Sequence, residues 1–322
     1  MNKEKAIKFY NKYGIAVILL GLLIICSIMS PVFLSQANIV NLLSQIAVVT
    51  VITCGITQLI IAGQTDLSGG AIVALTGCIC VGTYKNLSEG GMNGWLAGIV
   101  AVLAAVLVGM IVNFLSGVII TEFHAPAFIV TLAMMQAGRG VCYIYTGGTP
   151  IYNIGSISKL GQGRIQGILP YSVIIMVLCI IATWVILNRT RLGRYIYAVG
   201  GNPEAAKASG ISAKKTIIEA YLIHGAFVGL AGALFMTRLN SGQPAEAVGL
   251  EFDAITAAVI GGASLSGGVG TIYGSIIGSM IIGVITNILT LKSVQSYYQM
   301  IITGLIIVIS VILDIVTKGK KD

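Results

Sequence analysis

Trp95-Leu-Ala-Gly-Ile-Val-Ala-Val-Leu-Ala-Ala-Val-Leu-Val-Gly-Met-Ile-Val-Asn-Phe-Leu-Ser-Gly-Val-Ile-Ile-Thr121 runs without a single charged residue. About 20 such residues coiled as a helix cross a hydrocarbon core of ~30 Å, so this stretch can span a bilayer unaided. Its apolar residues are continuous, not alternating, which excludes the strand of a membrane barrel and leaves a helix.

Working outward, similar runs occur at 14–34, 45–63, 70–84, 126–145, 169–187, 216–237, 252–263, 271–291 and 297–316. The whole chain of 322 residues is 56% apolar and only 9% charged, with a mean hydropathy of +0.95. A soluble domain carries about 25% charged residues, so there is too little polar surface here to face water. The fold expected is an all-α integral membrane bundle of about ten transmembrane helices. The runs 70–84 and 252–263 are too short to cross with ease and predict broken or half-length helices packed inside the protein. The run 14–34 is too long for a secretory signal core and lacks a small-residue cleavage end, so it reads as a retained first span.

Basic residues fix the orientation, because loops rich in Lys and Arg stay in the cytoplasm. Lys3, Lys5, Lys8 and Lys12 precede the first run, Lys318, Lys320 and Lys321 follow the last, and Arg189, Arg191, Arg194, Lys207, Lys214 and Lys215 lie in the centre. An even number of crossings puts all three groups on one side. The expected plan is a cytoplasmic segment 1–13, one transmembrane domain 14–317 with a cytoplasmic loop 188–215, and a cytoplasmic tail 318–322. The formal charge of +8 then needs no nucleic acid. The outer connections become 35–44, 85–94, 146–168, 238–251 and 292–296. The longest, 146–168, is rich in Gly, Ser and Tyr, as a docking surface for an external partner would be.

The central loop encodes a short helix with both stop signals. Asn202 suits the N-cap, Pro203 the first helical position, Glu204 the positive helix start and Gly210 the C-terminal cap. Ala205, Ala206, Ala208 and Ser209 are small, and with Lys207 they make a nearly smooth segment that another protein's backbone can approach closely. A plain connector whose charges only set topology is the alternative reading.

Leu67-Ser68-Gly69-Gly70 and Leu265-Ser266-Gly267-Gly268 repeat four residues, each beside one of the short runs. Glycine breaks in matching places point to a transport pathway, and they equally serve close helix packing. Asp66, Ser68, Gly69 and Gly70 on one side, with Asp253, Ser264, Ser266, Gly267 and Gly268 on the other, are therefore the candidate pathway residues. Asp66 has two open roles, accepting hydrogen bonds from a polar solute or capping a helix from its own backbone. Asp253, placed near the outer surface, can simply be solvated. Asn113, Asn287 and Gln299 read as hydrogen-bonding groups between helices, and Arg139 as a side chain that snorkels outward. His124 and His224 are too few and too far apart for a metal or proton relay. Cys26, Cys54, Cys78, Cys80, Cys142 and Cys179 all lie in apolar runs and read as small buried hydrophobes.

The stretch Gly200-Gly201-Asn202-Pro203-Glu204-Ala205-Ala206-Lys207-Ala208-Ser209-Gly210 resembles the EAA loop of ABC-importer permeases, in the branch that imports ribose, galactose and xylose. Thr65 to Ser68, His124 to Ile129, Phe252 to Ile255 with Gly261 to Gly270, and Ser296 to Met300 also resemble that branch, so the likeness runs from about Phe33 to Asp314. The resemblance implies a homodimeric permease in the bacterial inner membrane, with both termini cytoplasmic. It also implies an ATPase gripping residues 202–210 from the cytoplasm and a soluble sugar-binding protein outside. ATP and Mg would bind the ATPase and no cofactor this chain, which has no G-x-x-x-x-G-K-[ST] phosphate loop. The rival is an ion-coupled secondary transporter of a small polar solute, with Asp66 as the coupling group. No convergent acid, base or nucleophile suggests an enzyme.

Overall fold

The computed structural model describes residues 3–318, with side chains over 14–312. Lys320 and Lys321 lie outside the described residues, as do the side chains of Lys3, Lys5, Lys8, Lys12 and Lys318. Thirteen helices follow in order among them: α1 Lys3–Met29, α2 Gln36–Ile61, α3 Gly69–Glu89, α4 Gly94–Glu122, α5 Ala127–Thr146, α6 Lys159–Gln162, α7 Tyr171–Arg189, α8 Arg191–Gly201, α9 Pro203–Ala208, α10 Ala213–Leu239, α11 Leu250–Ile260, α12 Ile272–Leu291 and α13 Ser296–Lys318. Seven (α2, α3, α4, α5, α7, α10 and α12) are long and apolar enough to cross a membrane, and Gly14–Met29 and Ser296–Ile312 add shorter apolar stretches within α1 and α13.

Local chemistry sets the ends. Ser35, Asn93, Thr190, Ser212 and Thr271 each accept a backbone N–H of the helix that follows, and Gly147 and Asn240 end α5 and α10 in the left-handed conformation. Helix α10 lies at the centre, packed on α4, α3 and α2, while α2 also meets α12, α7 and α11. The α4–α10 crossing is close because it is glycine on glycine: a Cβ on Gly109 would come within 3.0 Å of the Gly229 nitrogen and would collide with the Gly225 carbonyl oxygen. Lipid offers no hydrophobic drive between helices, so such backbone approach is what holds them.

Two expectations need correction. The run 70–84 does not form a half-helix, for α3 continues through Lys85, Asn86 and Ser88 to Glu89, 21 residues in all. The connection 238–251 is not simply an outer loop. Gly242 pairs with Ile151 and lies against Val81 and Cys78 on α3, yet Ala247 and Glu251 lie over Gly70 in the first turn of α3. The segment after α10 thus runs back along α3 by roughly 16 Å, at 1.5 Å per residue. Helix α11, with 11 residues, starts from that depth and is the true half-helix. It completes the crossing that the extended segment begins. The run 252–263 is short for this reason, and Glu251, assigned to the surface from sequence, is buried.

Candidate functional site

At the end of the bundle where α7 passes into α10, the chain builds two consecutive short helices. Helix α8 was not anticipated within 188–215. Its N-cap Thr190 accepts from Gly193 N–H at 3.1 Å, and Ile196, Val199 and Gly200 are its buried face. Helix α9 is as read from sequence: the Asn202 side chain accepts from Ala205 N–H at 3.0 Å, Pro203 opens the helix, and Gly210 at φ +78° closes it. Of residues 201–210 only Ala206 is buried, so α9 stands out from the bundle on one small anchor.

Beneath α9 three backbone segments touch. Gly200, the penultimate residue of α8, meets the C-terminal carbonyl of α2 at Ile61; a Cβ there would overlap that oxygen and lie 2.8 Å from the Gly268 nitrogen. Gly268 N–H donates to the same Ile61 carbonyl at 2.8 Å. Added carbons on Gly267 and Gly268 would meet Gly200, Gly63 and Gly201 at 2.5–3.0 Å. Gly63, Gly267 and Gly268 have φ of +75°, +84° and +72°, which glycine adopts without strain. Tyr197 of α8 donates its hydroxyl to Gly270 at 2.8 Å, and burial pushes that phenol above its ordinary pKa, keeping its proton for the bond. The second Leu-Ser-Gly-Gly segment is thus a contact between α8 and the α11–α12 turn. Ser264 is buried and Ser266 exposed within it.

The first Leu-Ser-Gly-Gly segment has a different setting. Asp66 is buried: its Oδ1 accepts from Ser68 N–H at 2.7 Å and from Ser68 Oγ–H at 2.6 Å, and its Oδ2 lies 3.0 Å from His224 Nε2. The neighbouring Thr65 carbonyl accepts from the Tyr221 hydroxyl at 2.8 Å. These bonds close a local turn leading into α3 and add a partner on α10. Gly69 and Gly70 pack on Glu251; a Cβ on Gly69 would touch the Glu251 Cβ at 3.5 Å, and one on Gly70 would strike its carboxylate. The first turns of α3 and α11 therefore meet, and Asp66, Glu251 and Asp253 gather where two positive helix ends converge.

His224 is a buried structural partner of Asp66, 158 positions away, and nothing in its neighbouring sequence announces that partner. Arg139 does not snorkel: its guanidinium donates to the carbonyls of Pro244 and Glu246, at 2.5 and 2.7 Å, and tethers the re-entrant segment to α5. Asn287 does bridge helices, exchanging two bonds with Asn38 at 2.9 and 3.1 Å. Asn113 and Gln299 instead donate to Gly109 and Val294 close by in sequence. His124 is exposed, and the six cysteines are buried free thiols.

A multi-helix membrane bundle with a projecting capped helix defines a transport permease, and residues 38–311 match the family described as "Branched-chain amino acid transport system / permease component". The chain belongs to that family. It is 40% identical over 304 residues to the ribose import permease protein RbsC of Escherichia coli K12, covering 92% of this chain and 91% of the relative. With the RbsC of Bacillus subtilis 168 the identity is 40% over 321 residues, 97% and 96% of the two chains. The galactose/methyl galactoside import permease protein MglC of Salmonella typhimurium LT2 is 33% identical over 332 residues, 100% of this chain and 99% of the relative. No solved structure matches.

Proposed function

We propose that this chain is the membrane subunit of an ATP-driven importer of a monosaccharide, working as two identical copies. The observation that carries the reading is α9, a capped helix with small exposed side chains held clear of the bundle, in a chain whose full-length relatives are ribose and galactose import permeases. Helix α9 is shaped to seat in a groove of a cytoplasmic ATPase, which binds ATP and Mg. A soluble binding protein delivers sugar at the opposite end, around residues 146–168. The relatives favour a sugar over the amino acids of the family's description because their identity extends over nearly the whole chain.

Purified permease, ATPase and binding protein in proteoliposomes should take up ribose or galactose only with ATP. Uptake driven by an ion gradient without ATP overturns the reading. Both termini and α9 then face the cytoplasm: in a cysteine-free background Lys207→Cys should label from the cytoplasmic side only and Ser158→Cys from outside only. Labelling of both from one side refutes this topology.

Glu204→Arg sets a cation on the positive start of α9, and Gly210→Val forces a branched residue to positive φ at about 1–2 kcal/mol. Each should release the ATPase on copurification and lower uptake about tenfold or more, with permease levels in the membrane unchanged. Retained ATPase and uptake in both would leave α9 a plain connector.

A further inference from the structure

Helix α4 ends beside α9, where Glu122 pairs with Lys214 in the first turn of α10. Its opposite end is hollowed. Trp95, Gly98, Ile99, Val102 and Leu103 recur at three and four residues and so share one helix face. Together with the turn Gly155–Ser158, helix α6 and Tyr171 at the start of α7, that face lines a cavity of about 670 Å³. Gly98 makes the hollow, for a Cβ there would have no atom within 4 Å. Trp95, Ile99 and Leu103 around it are each more than half exposed. From Trp95 to Leu103 the stripe runs about 12 Å at 1.5 Å per residue, close to the ~15 Å of hydrocarbon in one leaflet.

The cavity is apolar along this length and polar at one rim. Lys159 lies there, exposed, and makes no ion pair among the described residues. Tyr84 and Ser156 share a hydrogen bond of 2.6 Å beside it. Trp95 and Tyr171 also border the cavity, and such aromatic residues favour the level of lipid headgroups. A cation at the mouth of an apolar slot, on a helix that crosses a bilayer, complements a molecule with an anionic head and a hydrocarbon tail.

We propose that this cavity binds one anionic phospholipid of the leaflet opposite α9. An acyl chain lies along the α4 stripe over Gly98, and the Lys159 ammonium donates to the headgroup phosphate. Phosphatidylethanolamine carries its own ammonium beside the phosphate, which opposes Lys159, whereas phosphatidylglycerol does not. The bound lipid fills the space between α4 and the segment 155–160 and so holds that connection on the bundle. Its occupancy is independent of which solute the permease carries.

Full-length permease in mild detergent, stripped of lipid and then given equal amounts of phosphatidylglycerol and phosphatidylethanolamine, would be washed and weighed by native mass spectrometry. The unmodified chain should keep one phospholipid, with phosphatidylglycerol favoured about fivefold. Gly98→Phe fills the hollow and should lose it, whereas Gly98→Ala should keep it. Gly21→Phe on α1, where a Cβ likewise has open space, should also keep it. Lys159→Glu should retain a phospholipid and reverse the preference. No retained lipid on the unmodified chain, or equal retention by Gly98→Phe and Gly98→Ala, overturns the site. Equal loss in Gly21→Phe and Gly98→Phe marks the lipid as general annulus and overturns it too. A Lys159→Glu chain that still favours phosphatidylglycerol fivefold overturns the headgroup contact.

Discussion

Valine in place of Gly200 should abolish ATP-driven uptake, whereas alanine at the adjacent Gly201 should leave uptake within about twofold of wild type. The two glycines differ in what a side chain would meet. At Gly200 a Cβ overlaps the Ile61 carbonyl and crowds the Gly268 nitrogen, while at Gly201 its nearest neighbour is the Gly268 Cα at 4.0 Å, an ordinary contact. The obstruction at Gly200 is backbone on two sides, so it cannot be relieved by a rotamer change. Relief requires α8 to part from α2 and from the α11–α12 turn at once, since both lie against the added carbon. Overpacking of this kind costs about 1–3 kcal/mol. Because only Gly201 and Asn202 separate Gly200 from α9, a displaced α8 carries α9 with it. Copurification with the ATPase and uptake in proteoliposomes would be measured side by side. Normal uptake by Gly200→Val would show that this junction carries no force between α9 and the spanning helices.

Asp66→Ala should lower the stability of the purified permease by about 1–3 kcal/mol, the usual consequence of leaving buried hydrogen-bonding groups without their partner. His224 would be left facing no carboxylate, and the Ser68 N–H and hydroxyl would lose their acceptor at the entrance to α3. Asp66→Asn retains an oxygen for Ser68 and should cost about 1–2 kcal/mol. In a double-mutant cycle with His224→Ala, the second substitution should cost markedly less once the first is present, because the pair is shared. Thermal unfolding in detergent at fixed protein concentration reads all four variants. Additive losses would mean that Asp66 and His224 act independently and that the carboxylate serves Ser68 alone.

The spanning helices and α9 were legible because each depends on residues next to one another: an uninterrupted apolar run, or a cap at each end of two turns. What was not legible depends on distant pairing. Asp66 with His224, Arg139 with Pro244 and Glu246, and Gly200 with Ile61 all join residues whose neighbouring sequence carries no sign of the partner. Helix α8 was missed because its polar exposed face, with Arg191, Arg194 and Tyr195, reads as a basic loop until its buried Ile196 and Val199 are seen. Glu251 was misplaced because a charged residue before an apolar run normally marks the membrane surface. Here an extended segment carries it inward, to the first turns of two helices that favour an acidic group.

The junction of Gly63, Gly200, Gly267 and Gly268 also bears on how this permease can change over time. Most contacts between helices can drift, because a larger side chain on one partner is matched by a smaller one on the other. A contact made by peptide groups has no such exchange available, since neither side holds anything to trade. Correlated substitutions between relatives should accordingly be sparse across this junction even though its parts touch. A contact map inferred from paired sequence changes would leave α8 unconnected to α2 and to the α11–α12 turn at the point where their backbones touch.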